Sequence, residues 1–219
     1  MIIGIILAII FVILAIKFAT KRICNKKFDK AILKIHKIIG ICMLLVLVAH
    51  IFSVWELKRQ RPSVMFLSGY IMSVLIIITI ASYFFKAKLK KWITIHRLCT
   101  FFIFICLILH IFTGVKSLAS YNLAISDIKI KDINFSAYDD GVYTGSCDVG
   151  YIYVSVNVVI NKHKIEEINI LEHRNEMGKP AEKIIYDIKK QQSLNVDTIS
   201  GATNSSNVIK KAIENAFEK

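Results

Sequence analysis

Four of the six histidines fall into two equivalent pairs. Ile35-His36-Lys37 and His50-Ile51-Phe52-Ser53 recur 60 positions later as Ile95-His96-Arg97 and His110-Ile111-Phe112-Thr113, a repeat of the form I-H-[KR]-x12-H-I-F-[ST]. Histidines at that spacing on an α-helix return to within ~40° of one direction and stand ~21 Å apart along the axis. If both runs cross a membrane in the same sense, His36 is level with His96 and His50 with His110. Two facing imidazoles are what a six-coordinate haem iron takes from a protein, and this arrangement offers them twice, at two depths. A lone intramembrane histidine ordinarily makes an interhelical hydrogen bond. Four at equal spacing on alternate helices favour haem ligation over packing or a proton relay, because polar groups at that depth cost free energy.

A second candidate centre is a hydroxyl. Asp197-Thr198-Ile199-Ser200-Gly201-Ala202-Thr203-Asn204-Ser205-Ser206 runs into an apolar stripe of Val208, Ile209, Ala212, Ile213, Ala216 and Phe217, which predicts a helix from about Thr203. Main-chain N–H groups at a helix start favour a phosphate, Gly201 permits close backbone approach, and Ala202 leaves the threonine hydroxyl uncrowded. Taken alone, a threonine there is also an ordinary N-cap.

The elements that must position these groups begin with four apolar runs: Met1 to Thr20, Ala31 to Trp55, Val64 to Phe85 and Trp92 to Val115. Each is close to the ~20 residues that cross ~30 Å of hydrocarbon. With no basic residue before it and charges only after it, the first run is expected to be a retained helix, not a cleaved signal peptide. Trp55 and Trp92 fall at the expected membrane edges.

The formal charge of +13 raises the question of nucleic acid. Residues 119 to 219 hold 12 basic and 14 acidic residues, so the excess lies wholly in the membrane half, which fits topology and excludes a DNA-binding face. Lys21, Arg22, Lys26, Lys27 and Lys30 mark one cytoplasmic loop; Lys86, Lys88, Lys90 and Lys91 mark another. The loop between them carries Lys58, Arg59 and Arg61 offset by Glu56, and is expected outside. The amino terminus and the carboxy-terminal hundred residues are then outside as well. Of the five cysteines, Cys42, Cys99 and Cys106 fall in helices, Cys24 in a cytoplasmic loop and Cys147 alone outside, so no disulfide is expected there.

The remaining residues predict a small α+β unit. Leu118 to Ala137 alternates weakly and reads as a tether or an opening strand, and Gly141 to Gly145 as a turn. Tyr151 to Ile160 alternates strictly and predicts a half-buried strand, joined through Asn161 to His163 to a second strand, Lys164 to Leu171. Pro180 starts a helical stretch to Gln191, and helices are expected to cover one face of the sheet. The boundaries are 1–117 for a four-helix transmembrane unit, 118–136 for the tether and 137–219 for the outer domain.

Two resemblances sharpen these readings. The paired histidines resemble those of di-haem four-helix cytochrome b bundles, including ferric reductase-like membrane proteins, which implies two b-type haems held by His36 with His96 and His50 with His110. Lys37 and Arg97 then sit near haem propionates or snorkel to lipid phosphates. The segment D-x-x-S-G-A-T resembles the recognition motif of periplasmic-type flavin transferases. Residues 139 to 218, with Asp140-Gly141-Val142-Tyr143-Thr144-Gly145, Leu171-Glu172-His173 and the SGAT segment, are similar to the FMN-binding domain family, which includes flavinylated small subunits of Rnf and sodium-translocating NADH:quinone reductase complexes. That resemblance implies FMN joined by a phosphoester to Thr203, with Asp197, Ser200, Gly201 and Ala202 in the transferase signature. Thr144 and Gly145 are expected to line the pocket; His173 and Met177 either contact the isoalloxazine ring or, in the case of His173, stand as a surface histidine.

Together these imply a membrane flavocytochrome that moves electrons from a quinol or a cytoplasmic donor protein to an extracytoplasmic acceptor, with the chemistry in the cofactors and no catalytic side chain of its own. The alternative is a redox-sensing or assembly subunit of a respiratory complex. No zinc spacing, nucleophile–base pair or further phosphate loop is present.

Overall fold

The structure is a computed structural model that describes residues 2–18, 20, 26–55, 57, 61–175 and 177–218. Lys21, Arg22 and Cys24 of the first basic loop, and Glu56, Lys58 and Arg59 of the second loop, lie outside the described residues. The chain divides into two compact units, Met1–Gly114 and Val115–Lys219.

The first unit is helical: α1 (Ile2–Ala15), α2 (Lys26–Val54), α3 (Ser63–Phe84) and the greater part of α4 (Trp92–Ser126). Three of these, α2, α3 and α4, are long and apolar enough to cross a membrane. At 14 residues α1 spans ~21 Å, less than the hydrocarbon thickness. Helical hydrogen bonding nevertheless continues beyond it, from Ile16 N–H to Val12 O (3.2 Å) and from Thr20 N–H to Ile16 O (3.1 Å). The Lys17 ammonium and Thr20 hydroxyl then meet the Asp29 carboxylate in the first turn of α2.

Large apolar side chains face outward in this unit. Leu45 is 73% exposed and Phe52 76%. A surface of that kind is stable in lipid and not in water, so the chain is a transmembrane protein. A narrow core of Leu7, Phe11, Met43, Leu47, Ile76 and Ile103 fills the interior. Met43 and Ile103 lie midway between the two histidines of α2 and α4, so apolar packing separates the two imidazole layers.

The second unit is α+β. Strands β1 (Gly141–Asp148), β2 (Tyr153–Asn161) and β3 (Lys164–Arg174) form an antiparallel sheet in that order. Val154, Val156, Val158 and Ile160 of β2 are buried, as the alternation requires. Lys162 (φ 51°) and His163 (φ 58°) make a two-residue hairpin turn with both centres left-handed, the hand that matches strand twist. Asp140 accepts the His163 N–H (3.1 Å), and these turn N–H groups hold its carboxyl below the usual range. A 3-10 turn, Lys179–Lys183, leads into α5 (Ile184–Gln191), and α6 (Thr203–Asn215) closes the unit. Ile184, Ile188, Val208, Ile209, Ala212 and Ile213 pack with the β2 valines into one core.

Two segments differ from their sequence reading. Residues 118–126, expected as tether or strand, continue α4 as helix, and the segment after it makes no strand. Its isoleucines, Ile128, Ile130 and Ile133, pack on the core, while Asp132 accepts from Ser193 Oγ (3.0 Å) and Leu194 N–H (2.9 Å). Weak alternation therefore reflected docking against a loop, not pairing in a sheet. Gly141 to Gly145, expected as a turn, opens β1 instead. Gly145 serves packing there: a Cβ at that position would lie 2.3 Å from Ala212 O and 2.4 Å from Ala216 N, so the helix backbone rests directly on the strand.

Replacing Gly145 with Ala is expected to lift α6 from the sheet at a cost of about 3 kcal/mol. Gly141→Ala, whose Cβ would meet Tyr143 at an ordinary 3.8 Å, is the matched control. Urea-dependent proteolysis of the full chain in detergent should separate the two.

Candidate functional site

The start of α6 is built by short main-chain bonds around a left-handed glycine. Ala202 N–H donates to Ile199 O (2.9 Å), Gly201 has φ 76°, and Ser206 N–H donates to Ala202 O (2.9 Å). The buried Ser206 hydroxyl accepts the Ile199 N–H (3.1 Å), which locks the turn onto the helix. Thr203 is the first helical residue and its side chain is exposed. The capping position belongs to Ala202, which offers no side-chain acceptor. Thr203 is thus not the N-cap, and among the described residues no side-chain hydrogen bond caps the first N–H groups of α6. An exposed hydroxyl beside the N–H donors at the positive end of a helix suits a phosphate ester.

Two groups of residues converge on this helix start. From one side, Asn204 Nδ2 donates to Tyr121 Oη (3.0 Å), and the Tyr121 ring stacks on Tyr151 (centroids 4.8 Å apart, planes at 16°). From the other, Gly178 presses on the first turn so closely that a Cβ there would lie 1.9 Å from Ser205 Oγ. The Gly178 loop follows β3, whose His173 pairs with Val154 on the core side. The His173 side chain is 2% exposed, its Nδ1 lies 2.9 Å from Glu182 Oε1, and among the described residues its buried Nε2 has no hydrogen-bond partner. Asp197 is exposed and lies beside Lys210, two turns into α6. Burial pushes that ammonium down, Asp197 opposes the shift, and the ammonium donates to Val196 O.

Residues 150–218 match the family model described as the FMN-binding domain. No curated protein and no solved structure matches the chain. The match takes in β2, β3, α5 and α6, and with them Thr203, Gly201, Ala202, Ser200, Asp197 and His173. FMN and a flavin-linked electron-transfer role follow at that level.

Within the FMN-binding domain, the residues expected at the pocket separate into two places. Thr203, Ser200, Gly201 and Ala202 form the helix start, with Asp197 just before it and His173 on the strand that leads to the Gly178 loop. Thr144 and Gly145 are not brought there. Thr144 points to the exposed face of the sheet and donates to Asn157 Oδ1 (2.8 Å), while Gly145 lies against Ala212 and Ala216, ~13 Å or more along α6 from Thr203. Met177 is 87% exposed in the Gly178 loop. Sequence reasoning missed Tyr121, Tyr151, Asn204 and Gly178. Only Gly178, next to Lys179-Pro180, carried a local signal, since nothing along the chain pairs two tyrosines 30 residues apart.

The membrane histidines form the second candidate centre. His36 and His96 face each other with ring centroids 6.1 Å apart. Two imidazole–metal bonds of about 2.0 Å, with about 1.1 Å from each nitrogen to its ring centre, require about 6 Å. His50 and His110 occupy the corresponding outer positions of α2 and α4. Among the described residues no cluster of three or more His, Cys, Asp or Glu gathers to hold a bare metal ion, so the protein offers imidazoles in pairs. Lys37 reaches the Tyr83 ring (5.1 Å to its centroid), as does Lys86 (4.7 Å).

Ser206→Ala would leave the Ile199 N–H without its acceptor and is expected to cost about 1–3 kcal/mol. The loosened turn should also lower the fraction of chains carrying flavin, measured as protein-bound fluorescence against total protein.

Proposed function

We propose that this chain carries electrons across a bacterial cytoplasmic membrane, from a quinol or a cytoplasmic donor protein to an acceptor on the outer side. In this reading four membrane helices, α1 among them, hold two b-type haems, one between His36 and His96 and one between His50 and His110. The FMN-binding domain lies outside and carries FMN as a phosphoester on Thr203, placed there by a flavin transferase that reads Asp197, Ser200, Gly201 and Ala202. When bound, the haems supply one-electron chemistry, and FMN supplies exchange between one- and two-electron partners.

The observation that carries the proposal is the union in one chain of an FMN-binding domain match with a histidine pair at 6.1 Å. Haem suits this donor set because its macrocycle occupies the other four iron positions and leaves two for imidazoles. The protein's own contributions are specific. Thr79 O and Met65 O each accept from an Nδ1 of α4, so the Nε2 lone pairs of His96 and His110 are left for a metal. Thr203 presents its hydroxyl beside N–H donors that can bind phosphate oxygens, and His173, fixed by Glu182, keeps an unpartnered Nε2 in the domain. The basic loops around Lys26 and Lys86 support a cytoplasmic placement, which with an even number of crossings sets the domain outside.

Thr203→Ala is expected to remove all flavin that survives denaturation while leaving the haem absorption spectrum intact. His36→Ala and His50→Ala should each remove one haem and retain the flavin. Flavin still attached in the Thr203 variant, or a colourless wild-type chain purified after expression with ample haem precursor, would overturn the respective half of the proposal.

A further inference from the structure

The two hairpins of the membrane unit correspond beyond their histidines, and the correspondence exposes a difference at the outer pair. In each, the helix preceding the histidine helix sets a glycine against the outer imidazole: a Cβ on Gly4 would lie 3.2 Å from His50 Cε1, and one on Gly69 would lie 3.5 Å from His110 Cε1. In both cases Nδ1 would be 3.8 Å away; His50 Nε2 would also be 3.8 Å from the Cβ of Gly4, so that ring sits the closer of the two to its glycine. Ten residues further on, Leu14 and Thr79 bring main-chain carbonyls toward the inner imidazoles; Thr79 O is 3.3 Å from His96 Nδ1, and the Leu14 carbonyl approaches His36 without reaching hydrogen-bond geometry.

The residue before each glycine breaks the match. It is Ser68 in one hairpin and Ile3 in the other. Ser68 is 3% exposed; its hydroxyl donates to Met65 O (2.9 Å) and stands 3.0 Å from His110 Nδ1, which is also 3.0 Å from Met65 O. A carbonyl has no proton to give, so His110 Nδ1 carries one and shares it between two oxygens. Among the described residues His50 Nδ1 is buried with no hydrogen-bond partner.

We propose that Ser68 is a positioning residue that makes the outer imidazoles unequal ligands, His110 electron-rich and fixed in orientation, His50 weaker and free to turn. The inference rests on the reading of His50 and His110 as haem ligands. Hydrogen bonding of Nδ1–H raises the basicity of the opposite nitrogen and favours the oxidised metal, so the hydroxyl lowers the potential of the outer haem alone. The inner pair, which among the described residues has no comparable hydroxyl, is the internal reference.

The test is a redox titration of the full chain in detergent, followed by haem absorbance, with low-spin electron paramagnetic resonance spectra of the oxidised protein. Ser68→Ala is expected to raise one of two midpoint potentials, changing the reduced-to-oxidised ratio at fixed potential by about tenfold, or about 59 mV for one electron. It should move the corresponding resonance and leave the other haem unchanged. Ile3→Ser, which gives His50 the missing hydroxyl, should shift the same potential the opposite way. Both haems present with neither potential moved in either variant would overturn the role of Ser68 and leave the haem reading standing. A wild-type chain without haem would overturn both.

Discussion

An imidazole nitrogen at membrane depth is costly to leave without a partner, and the packing of α3 on α4 is arranged around that cost. Lipid offers neither donor nor acceptor, so the partners come from neighbouring helices. Helix α3 supplies Thr79 O, Met65 O and Ser68 Oγ to the histidines of α4, and Gly69 lies against the His110 ring. Gly4 plays the same steric part for His50. The small apolar core between the layers then holds the imidazole levels apart.

The FMN-binding domain meets a comparable requirement at the head of α6. A helix there would ordinarily begin with an acceptor side chain, but Ala202 occupies that place and the exposed Thr203 follows it. The exception stands among strongly determined surroundings: Ser206 ties the turn, Gly178 seats the first turn, and Lys210 is drawn to Val196 O beside Asp197. Local rules broken within a well-specified frame are where ligand chemistry is commonly found.

How much of this was legible follows from the range of each interaction. Strand β2 and its hairpin could be read because alternation and a two-residue turn are local, and helix α6 because its stripe is. The histidine repeat was legible because helical geometry turns a spacing of 14 into a shared face. Gly145 misled because glycine serves both turns and close helix–strand contact, and only the position of Ala212 decides which. Residues 118–126 misled because a helix leaving a membrane loses its continuous apolar signal once one side meets protein. The Tyr121–Tyr151–Asn204 contact and the Ser68–His110 bond join residues 30 to 83 positions apart, and no local pattern encodes such pairings.

The last turns of α4 belong to the second unit by packing, since Tyr121, Ala124 and Ile125 rest on its core and Phe135 is buried within it. A water-soluble fragment cut at the glycine-rich start of β1 would therefore lose part of its own interior and bare the Tyr151 face. The natural place to sever the polypeptide is within the α-helix itself, near Val115, where a truncated product keeps Tyr121, Ala124 and Ile125 together with the core on which they rest.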